Sequence, residues 1–454
     1  MVLLAGCEGE SNPQAQLSSP SAQESLEPWE RLPRVRPPAL QTQLTPEKIQ
    51  RCLYKEQIDL DAIASLYFGP EDLVAGQVET SRELEFDAPS SELLGPKEFA
   101  KSLGGLDINV GQDDEAATKG LAWALGVTSH GDDVNQFLKG EGSGLVAGFY
   151  DPRNGRIVIE QKGKLDSEYV VMAHEFTHAA TDQAFGLPAT KPEAVVDDLT
   201  LSISSLVEGD AGLTELRVLS RLAPPKSVEK SIAAQIAFKD KFAKDRGAGI
   251  PYLVIDNALF PYRWGLSFAC TVFKKEGWRG INRAYARLPT TSAQILFPER
   301  FLAREKALPT SPLHKPGPIW QLRDTGQIGA AHLKALFEAP GDKEFESLSR
   351  TLSRASSWGG GVFKIWTVGD VANKYVVGLS LTEHPDHDDL LCSSMNEWYR
   401  AAFPDAEVRL VGDRVVQFTA ILQDAIMSCP GDNVIMGLGP NLQLVREVLD
   451  ISEA

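Results

Sequence analysis

Two histidines and a glutamate in the middle of the chain have the types and the spacing that metal-assisted hydrolysis requires. The segment reads His174-Glu175-Phe176-Thr177-His178. Residues four positions apart on a helix lie on one face, so both imidazoles could bind a single metal ion. The Glu175 carboxylate projects beside them, where it could take a proton from a metal-bound water. We therefore predict that His174 and His178 are Zn²⁺ ligands and that Glu175 is the catalytic general base.

The residues around this motif favour a helix that packs against the rest of the protein. Ser167 can cap the start of the helix, and Gly186 can end it. Val170, Val171 and Ala173 form an apolar stripe between them. The alternative interpretation is a solvent-exposed helix in which the two histidines are incidental.

The longer stretch at 174–187 reads H-E-F-T-H-A-A-T-D-Q-A-F-G-L. It resembles the active-site helix of the thermolysin-like zinc peptidases, which reads H-E-x-T-H-A-x-T-D-x-x-x-G-L. This resemblance implies the roles given above for the two histidines and Glu175, and structural positions for Asp182 and Gly186. In the broader gluzincin group of zinc peptidases, a glutamate on the next helix is the third metal ligand.

Our candidate for the third ligand is Glu208, in the segment L-V-E-G-D-A at 206–211. It lies on a long predicted helix at about 192–222, and Gly209 lets that helix approach a neighbour closely. The separation from His178 is longer than in thermolysin. Position 212 is a glycine where the family has an aspartate, and Asp210 is our candidate for orienting an imidazole instead. The competing candidates for the third ligand are Glu193, Asp197 and Asp198.

Peptide hydrolysis of this kind also needs a hydrogen-bond donor for the oxyanion of the tetrahedral intermediate. The thermolysin-like enzymes use a histidine and a tyrosine. We take Tyr262 as the candidate donor and Tyr150 as the second choice, and the alternative for Tyr262 is a packed aromatic residue. His314 and His332 lie in no comparable motif.

The pattern also resembles a group of bacterial lipoproteins with an H-E-x-T-H helix, an L-V-E-G-D-A helix, an F-P-Y-x-x-G helix and a later Q-I-L-H-P segment. This chain has F-P-Y-R-W-G at 260–265 and Q-I-L-F-P at 294–298. Phe297 therefore stands where that group has a histidine. This departure keeps open an alternative function, a zinc-binding but catalytically inactive envelope lipoprotein that acts as a binding or assembly factor.

A second resemblance concerns the start of the chain. The run L-A-G-C that ends at Cys7 resembles the bacterial lipobox, in which the cysteine carries the lipid. We assign 1–7 as a residual signal segment with its lipobox and 8–44, rich in Ser, Pro, Gln and Glu, as a disordered tether. The resemblance implies a secreted protein that is lipid-anchored to a bacterial envelope membrane; a chance L-A-G-C is the alternative.

Composition excludes some other classes of protein. The 454 residues carry a net charge of −17 and no basic stripe, which argues against a nucleic-acid partner. The cysteines are not in C-x-x-C spacing, so a thiolate zinc site or a thioredoxin-like motif is not indicated. Cys270 lies in an apolar helical pattern and is predicted to be a core residue.

The fold prediction is an α+β protein. We expect a mainly helical, zincin-like metallopeptidase domain with a short β-hairpin at 45–325, followed by a smaller α+β domain at 326–454. The hairpin strands are predicted at 144–150 and 156–160, and the backbone of the second could hold a substrate as an added strand. The W-G-G-G run at 358–361 is predicted to be a flexible turn.

These patterns together predict zinc-dependent hydrolysis of a peptide or protein substrate at the bacterial cell envelope. The ligand types favour zinc over other divalent metals. Besides the inactive zinc-binding lipoprotein, a scaffold that binds no metal and carries a chance motif is the third alternative.

Overall fold

The computed structural model describes most of the chain. The described residues are 70–104, 115–128, 146–162, 165–188, 196–222, 250–343, 347–368 and 375–451, with Ile49, Cys52, Lys226, Val228, Lys230, Ile232 and Ala233. The predicted signal segment and tether lie outside them. The helices are α1 (Pro70–Arg82), α2 (Pro96–Gly104), α3 (Glu115–Ala124), α4 (Leu165–Phe185), α5 (Asp198–Leu222), α6 (Tyr252–Glu276), α7 (Trp278–Ala286), α8 (Ser292–Leu296), α9 (Pro298–Leu302), α10 (Ala330–Glu338), α11 (Thr351–Ala355), α12 (Leu390–Ala402) and α13 (Leu442–Leu449).

The strands form two separate sheets, and the α+β class predicted from the sequence is confirmed. One sheet has three strands in the order β1-β3-β2, and the other has seven antiparallel strands in the order β4-β5-β6-β10-β9-β8-β7. The strands are β1 (Ser91–Leu94), β2 (Gly148–Asp151), β3 (Arg156–Glu160), β4 (Gln321–Gln327), β5 (Trp358–Thr367), β6 (Tyr375–Glu383), β7 (Glu407–Gly412), β8 (Val415–Thr419), β9 (Asp424–Ser428) and β10 (Asn433–Gly439).

The predicted hairpin is confirmed as β2 and β3, which pair antiparallel. Its turn is held by the Asp151 carboxylate, which accepts hydrogen bonds from the backbone of Arg153 and the side chain of Asn154. The other edge of β3 pairs in parallel with β1. The prediction that residues 156–160 accept a substrate strand is therefore wrong, because both edges of β3 are already used. The two edge strands of this sheet are β1 and β2.

The α5 and α6 helices make a backbone-to-backbone contact at two glycines. A Cβ atom built on Gly209 of α5 would lie 2.2 Å from the carbonyl oxygen of Gly265 on α6. One built on Gly265 would lie 2.2 Å from the carbonyl oxygen of Ser205. Real side chains do not tolerate such distances, so the close approach requires glycine at both positions. The expectation that Gly209 permits a close helix approach is confirmed.

The α6 helix begins at Tyr252, and Pro261 lies inside it. Proline in a helix interior removes one backbone hydrogen bond. The predicted helices at 167–186 and 192–222 correspond to α4 and α5, although residues 192–195 lie outside the described part of the chain.

The prediction that the W-G-G-G run is a flexible turn is wrong, because the run forms the buried start of β5 in the seven-stranded sheet. A Cβ atom on Gly360 would lie 2.2 Å from the carbonyl oxygen of Leu308, and one on Gly361 would lie 2.4 Å from that of Ile328. These glycines allow neighbouring backbone to pack directly on the strand.

One buried apolar cluster contains side chains from both sides of residue 325. Phe260 and Phe268 of α6 belong to it, as do Leu379 of β6 and Tyr399 of α12. The division into two domains stays a prediction. None of the described helices combines the length and the apolar character that crossing a bilayer requires.

Two disulfides connect distant parts of the chain. Cys52 is bonded to Cys270 of α6, with Cα atoms 5.7 Å apart, and Cys392 of α12 is bonded to Cys429, with Cα atoms 6.1 Å apart. Cys270 is buried, as predicted for a core residue. Its pairing could not be read from the sequence, because cysteine spacing alone does not define connectivity.

The glycine contact leads to a prediction for Gly209→Ala. The added methyl group would overlap the α6 backbone, so the free energy of unfolding is expected to fall by about 1–3 kcal/mol or more. Gly212→Ala is the matched control on the same helix, because its Cβ would meet Leu266 Cδ1 at 3.8 Å. That variant should be unchanged or more stable by up to about 1 kcal/mol. Urea denaturation measures both, and equal stabilities for the two variants would contradict the assigned contact.

Candidate metal centre

The α4 helix positions the two histidines of the H-E-x-x-H motif one turn apart. Their ring centroids are 4.8 Å apart, with the ring planes at 82°. The opposite face of α4 carries Phe176 and Ala173, which are fully buried against Ile157 and Ile159 of β3. The three-stranded sheet therefore supports the helix from one side, and the imidazoles point away from the sheet.

The α5 helix brings Glu208 to these imidazoles. Glu208 Oε2 lies 3.0 Å from His174 Nε2 and 3.6 Å from His178 Nε2, and the three ligand atoms lie within 4.8 Å of one another. Atoms bound to a tetrahedral ion at about 2.0–2.2 Å would lie about 3.3–3.6 Å apart. The two distances from Glu208 are close to this range, whereas a separation of up to 4.8 Å would have to shorten by about 1 Å on zinc binding. Within the described residues, this is the one group of three or more such side chains that could hold a metal ion.

The competing candidates for the third ligand are placed elsewhere or fall outside the description. Asp197 accepts a hydrogen bond from the backbone N–H of Thr200 at the start of α5. Asp198 is fully buried and accepts one from the backbone N–H of Ser292. Glu193 lies outside the described residues.

Glu215 is the carboxylate that contacts His174 Nδ1, the ring nitrogen that does not face Glu208. It was not predicted from the sequence. Glu215 Oε2 lies 3.0 Å from His174 Nδ1. Asp210 was expected to orient an imidazole, but its carboxylate forms a bidentate ion pair with Arg82 at 2.8 and 3.0 Å. The cause is helix geometry: Asp210 points about 200° away from Glu208 around α5, whereas a residue seven positions later returns to within about 20°. A search at seven-residue spacing would have found Glu215.

The Glu175 carboxylate lies beside the edge strand β2. A Cβ atom added at Gly148 would lie 3.2 Å from Glu175 Oε1 and 2.6 Å from Val171 Cγ1. Glycine at this position therefore leaves room for the carboxylate between α4 and the strand. Glu175 is 5% exposed, so a proton held there is largely protected from bulk water.

Burial and the neighbouring charges shift the pKa values of the site in opposite directions. Burial raises the pKa of Glu175, and the nearby His178 and His174 only partly oppose this. Burial would also raise the pKa of Glu208, but the two imidazoles outweigh it and lower that pKa. For His174, burial would lower the pKa, and the bonds to Glu208 and Glu215 raise it instead. The protein groups thus favour positive charge on the imidazole side of the site, where a metal cation would also be stabilised.

Tyr262 of α6 is also at the site. Its ring is stacked with that of His174, with ring centroids 6.3 Å apart and ring planes at 29°. Its hydroxyl is hydrogen-bonded to the Glu208 side chain. The negative charge of Glu208 is the main cause that raises the Tyr262 pKa above its usual value, and the side chain itself is 38% exposed. The hydroxyl therefore remains protonated at neutral pH and can donate a hydrogen bond.

Tyr150, the second choice for the oxyanion donor, has a different role in the structure. Its hydroxyl donates to Asp182 Oδ2 at 2.9 Å, and burial together with this bond raises its pKa to about 12. Asp182 Oδ1 accepts from the backbone N–H of Leu187, and Gly186 has a φ of +72°. Asp182 and Gly186 thus lie in the turn that ends α4, which fits the structural positions implied by the resemblance.

Three further residues named in the sequence analysis, His332, Phe297 and His314, have surroundings of a different kind. His332 is buried in α10, where its Nδ1 accepts from the backbone N–H of Gly329. Phe297 is buried in the main core, and the Arg300 guanidinium lies 5.0 Å from its ring centroid. His314 is exposed.

Comparisons of the chain with protein-family models, curated proteins and solved structures found no match. The likeness to zinc peptidases therefore depends on the motif residues and on the geometry just described.

Asp198 leads to a prediction about pH. Burial raises its pKa to about 7 although two bonds from Ser292 oppose this, and burial lowers the pKa of His332, nearby on α10, to about 4. A raised carboxyl pKa contributes stability that is present below the unfolded value, near 4, and is lost as the pH rises through about 7. Asp198→Asn removes this contribution and leaves the opposing one from His332.

We therefore expect the free energy of unfolding to fall less for Asp198→Asn than for the wild type when the pH rises from about 5 to about 8. The difference should be about 1.4 kcal/mol for each unit of the raised Asp198 pKa that lies within this pH range. Chemical denaturation at both pH values provides the measurement. Asp197→Asn is the matched control, because asparagine keeps the helix cap. Identical pH dependence for Asp198→Asn and the wild type would show that the Asp198 shift is absent.

Proposed function

We propose that this protein is a zinc-dependent peptidase of the gluzincin type with a zincin-like fold around α4, α5 and the three-stranded sheet. The observation that carries the proposal is the meeting of His174, His178 and Glu208, from two helices, with ligand atoms within 4.8 Å. Three protein ligands leave a fourth position for water, as in catalytic rather than structural zinc sites. A bound zinc ion would supply an activated water and polarise the scissile carbonyl.

The residues of the chain would do the remaining chemistry. Glu175, buried and with a raised pKa, would accept a proton from the attacking water and deliver it to the leaving amine. Tyr262 would donate its hydroxyl hydrogen bond to the developing oxyanion. Glu215 would hold His174 in the tautomer whose Nε2 faces the metal.

The edge strand β2 is the proposed binding surface for an extended peptide substrate. An added strand would pair with the edge of β2 that contacts no other strand in the described part of the chain, and Gly148 in β2 lies next to the Glu175 carboxylate. The scissile bond would then lie beside the general base.

One observation favours a second candidate function, a zinc-binding envelope protein without hydrolytic activity. Phe297 stands where the similar lipoproteins have a histidine. Its side chain is buried in the core, with the Arg300 guanidinium over the ring. Tyr262 would then be the single donor proposed for the oxyanion. The two functions share the metal site and differ in whether the Glu175 carboxylate transfers a proton.

The metal site is tested first by His174→Ala. Removal of one of three ligands is expected to abolish stoichiometric zinc binding and any peptide cleavage, because two ligands hold zinc weakly. His314→Ala, at an exposed histidine away from the motif, is the control and should keep full zinc content. Metal analysis of the purified proteins gives the answer. A normal zinc content in His174→Ala would refute the ligand assignment.

Catalysis is tested by Glu175→Gln, which is nearly isosteric and cannot accept the proton. We expect zinc binding to remain and cleavage of an unstructured protein substrate to fall by about 10²- to 10⁴-fold, the usual contribution of a general base. Cleavage assays with a quenched fluorescent protein would measure this. Retained zinc with unchanged cleavage in Glu175→Gln would exclude the proposed mechanism, and zinc binding without cleavage in the wild type would favour the second function.

We also propose that the protein acts outside the cytoplasm, anchored by a lipid on Cys7. Two disulfides support an oxidising location, because such bonds are rare in cytosolic proteins. Cells that produce the chain are expected to incorporate a labelled fatty acid into the wild type and not into Cys7→Ser. Cys392→Ser is the control and should be labelled like the wild type. Equal labelling of Cys7→Ser would rule out the anchor.

A further inference from the structure

A buried ion pair involves Asp210, which lies two residues after Glu208 on α5. Arg82, the last residue of α1, donates from Nε to Asp210 Oδ1 at 2.8 Å and from Nη2 to Asp210 Oδ2 at 3.0 Å. Both side chains are 0% exposed. Nη2 also donates to Asn282 Oδ1 on α7 at 2.8 Å, and the guanidinium lies 4.4 Å from the ring centroid of Trp278. The pair is thus fixed in position by α7 as well as by α1.

The pair extends toward the helix that carries the histidines. The Tyr285 hydroxyl of α7 lies close to Asp210 and to Thr181 of α4. Thr181 in turn donates to the carbonyl oxygens of Thr177 and His178. Polar side chains from four helices therefore meet at the side of α5 that faces away from the metal ligands.

Consecutive residues of α5 point to three different neighbours at this turn. Glu208 faces the imidazoles, Gly209 faces the α6 backbone, and Asp210 faces Arg82. Each residue is rotated by about 100° from the one before it, so these contacts lie around the whole circumference of the helix. A rotation of α5 that moved the Glu208 carboxylate away from the imidazoles would also break the Arg82 pair.

We propose that Arg82 and Asp210 are positioning residues that fix the rotation of α5 and hold Glu208 at coordinating distance before a metal ion binds. This inference rests on the proposed function, since it concerns the affinity of the same site for zinc. A positioned carboxylate needs little reorganisation on binding, which increases affinity. Outer partners of metal ligands commonly affect affinity by about 10- to 100-fold.

The test uses the double variant Arg82→Met with Asp210→Leu. Removing both charges avoids leaving one buried and unpaired, so the fold should remain stable. Zinc affinity, measured by competition with a chromophoric chelator, is expected to fall by about 10- to 100-fold while the Tm of the metal-free protein stays close to that of the wild type. A merely structural role would change the Tm and leave the affinity of the folded protein unchanged.

Arg221→Met is the matched control. Arg221 also joins α5 to α1, through a 2.7 Å bond to Gln77, but it lies three turns away from Asp210 along α5. Its loss should leave zinc affinity unchanged. An equal loss of affinity in this variant would show that general α1–α5 packing, rather than the Arg82 pair, sets the affinity, and would overturn the proposal.

The outcomes separate this inference from the proposed function. A wild type that binds no zinc would refute the proposed function. A wild type that binds zinc, with wild-type affinity in the stably folded double variant, would refute the positioning role alone. If the double variant does not fold, the zinc affinity of Asn282→Ala is the deciding measurement, because this variant removes one hydrogen-bond acceptor of Arg82 and leaves the charge pair in place. A weaker zinc affinity of Asn282→Ala supports the proposal, and an unchanged affinity overturns it.

Discussion

The candidate site depends on how closely α5 approaches α6. Gly209 and Gly265 place the two helix backbones in direct contact, and the two residues that flank Gly209 point to the metal site and to Arg82. The same contact positions Tyr262, three residues before Gly265, over the His174 ring. Every group proposed for the chemistry is therefore carried by a helix and none by a long loop, which favours the precise geometry that catalysis needs.

Charge balance supports a cation at this place. Glu175, Glu208 and Glu215 lie around His174 in a largely buried region, and burying carboxylates is costly unless positive charge compensates them. Without a metal, the bonds to Glu208 and Glu215 raise the pKa of His174, so a proton on this imidazole supplies part of the positive charge. A divalent cation would supply positive charge at the same place.

The residues that the sequence predicted best are those related by helical spacing. The grouping of His174 and His178 follows from their four-residue interval, and the resemblance implied that a glutamate on the next helix joins them, as Glu208 does in position. Glu215 was missed because it lies seven residues after Glu208, whereas the family pattern has an aspartate four residues after the glutamate. The role of β3 was misassigned for another reason: its parallel partner β1 lies more than sixty residues earlier, and local patterns carry no information on such pairing. The Cys52–Cys270 bond spans 218 residues and was invisible for the same reason.

A metal-binding scaffold and a peptidase would share the two imidazoles, Glu208 and the helix contact that aligns them. The Glu175 carboxylate is the feature that distinguishes the two. Glu175 is not one of the three proposed ligands. Burial raises its pKa, so keeping this carboxylate ionised in the folded protein lowers the stability, which an alanine would not do. It also lies against Gly148 in β2, whose outer edge is paired with no other strand among the described residues. Zinc binding alone gives no reason to bury this carboxylate beside β2, whereas the proposed hydrolysis of an extended peptide would use both the carboxylate and the strand.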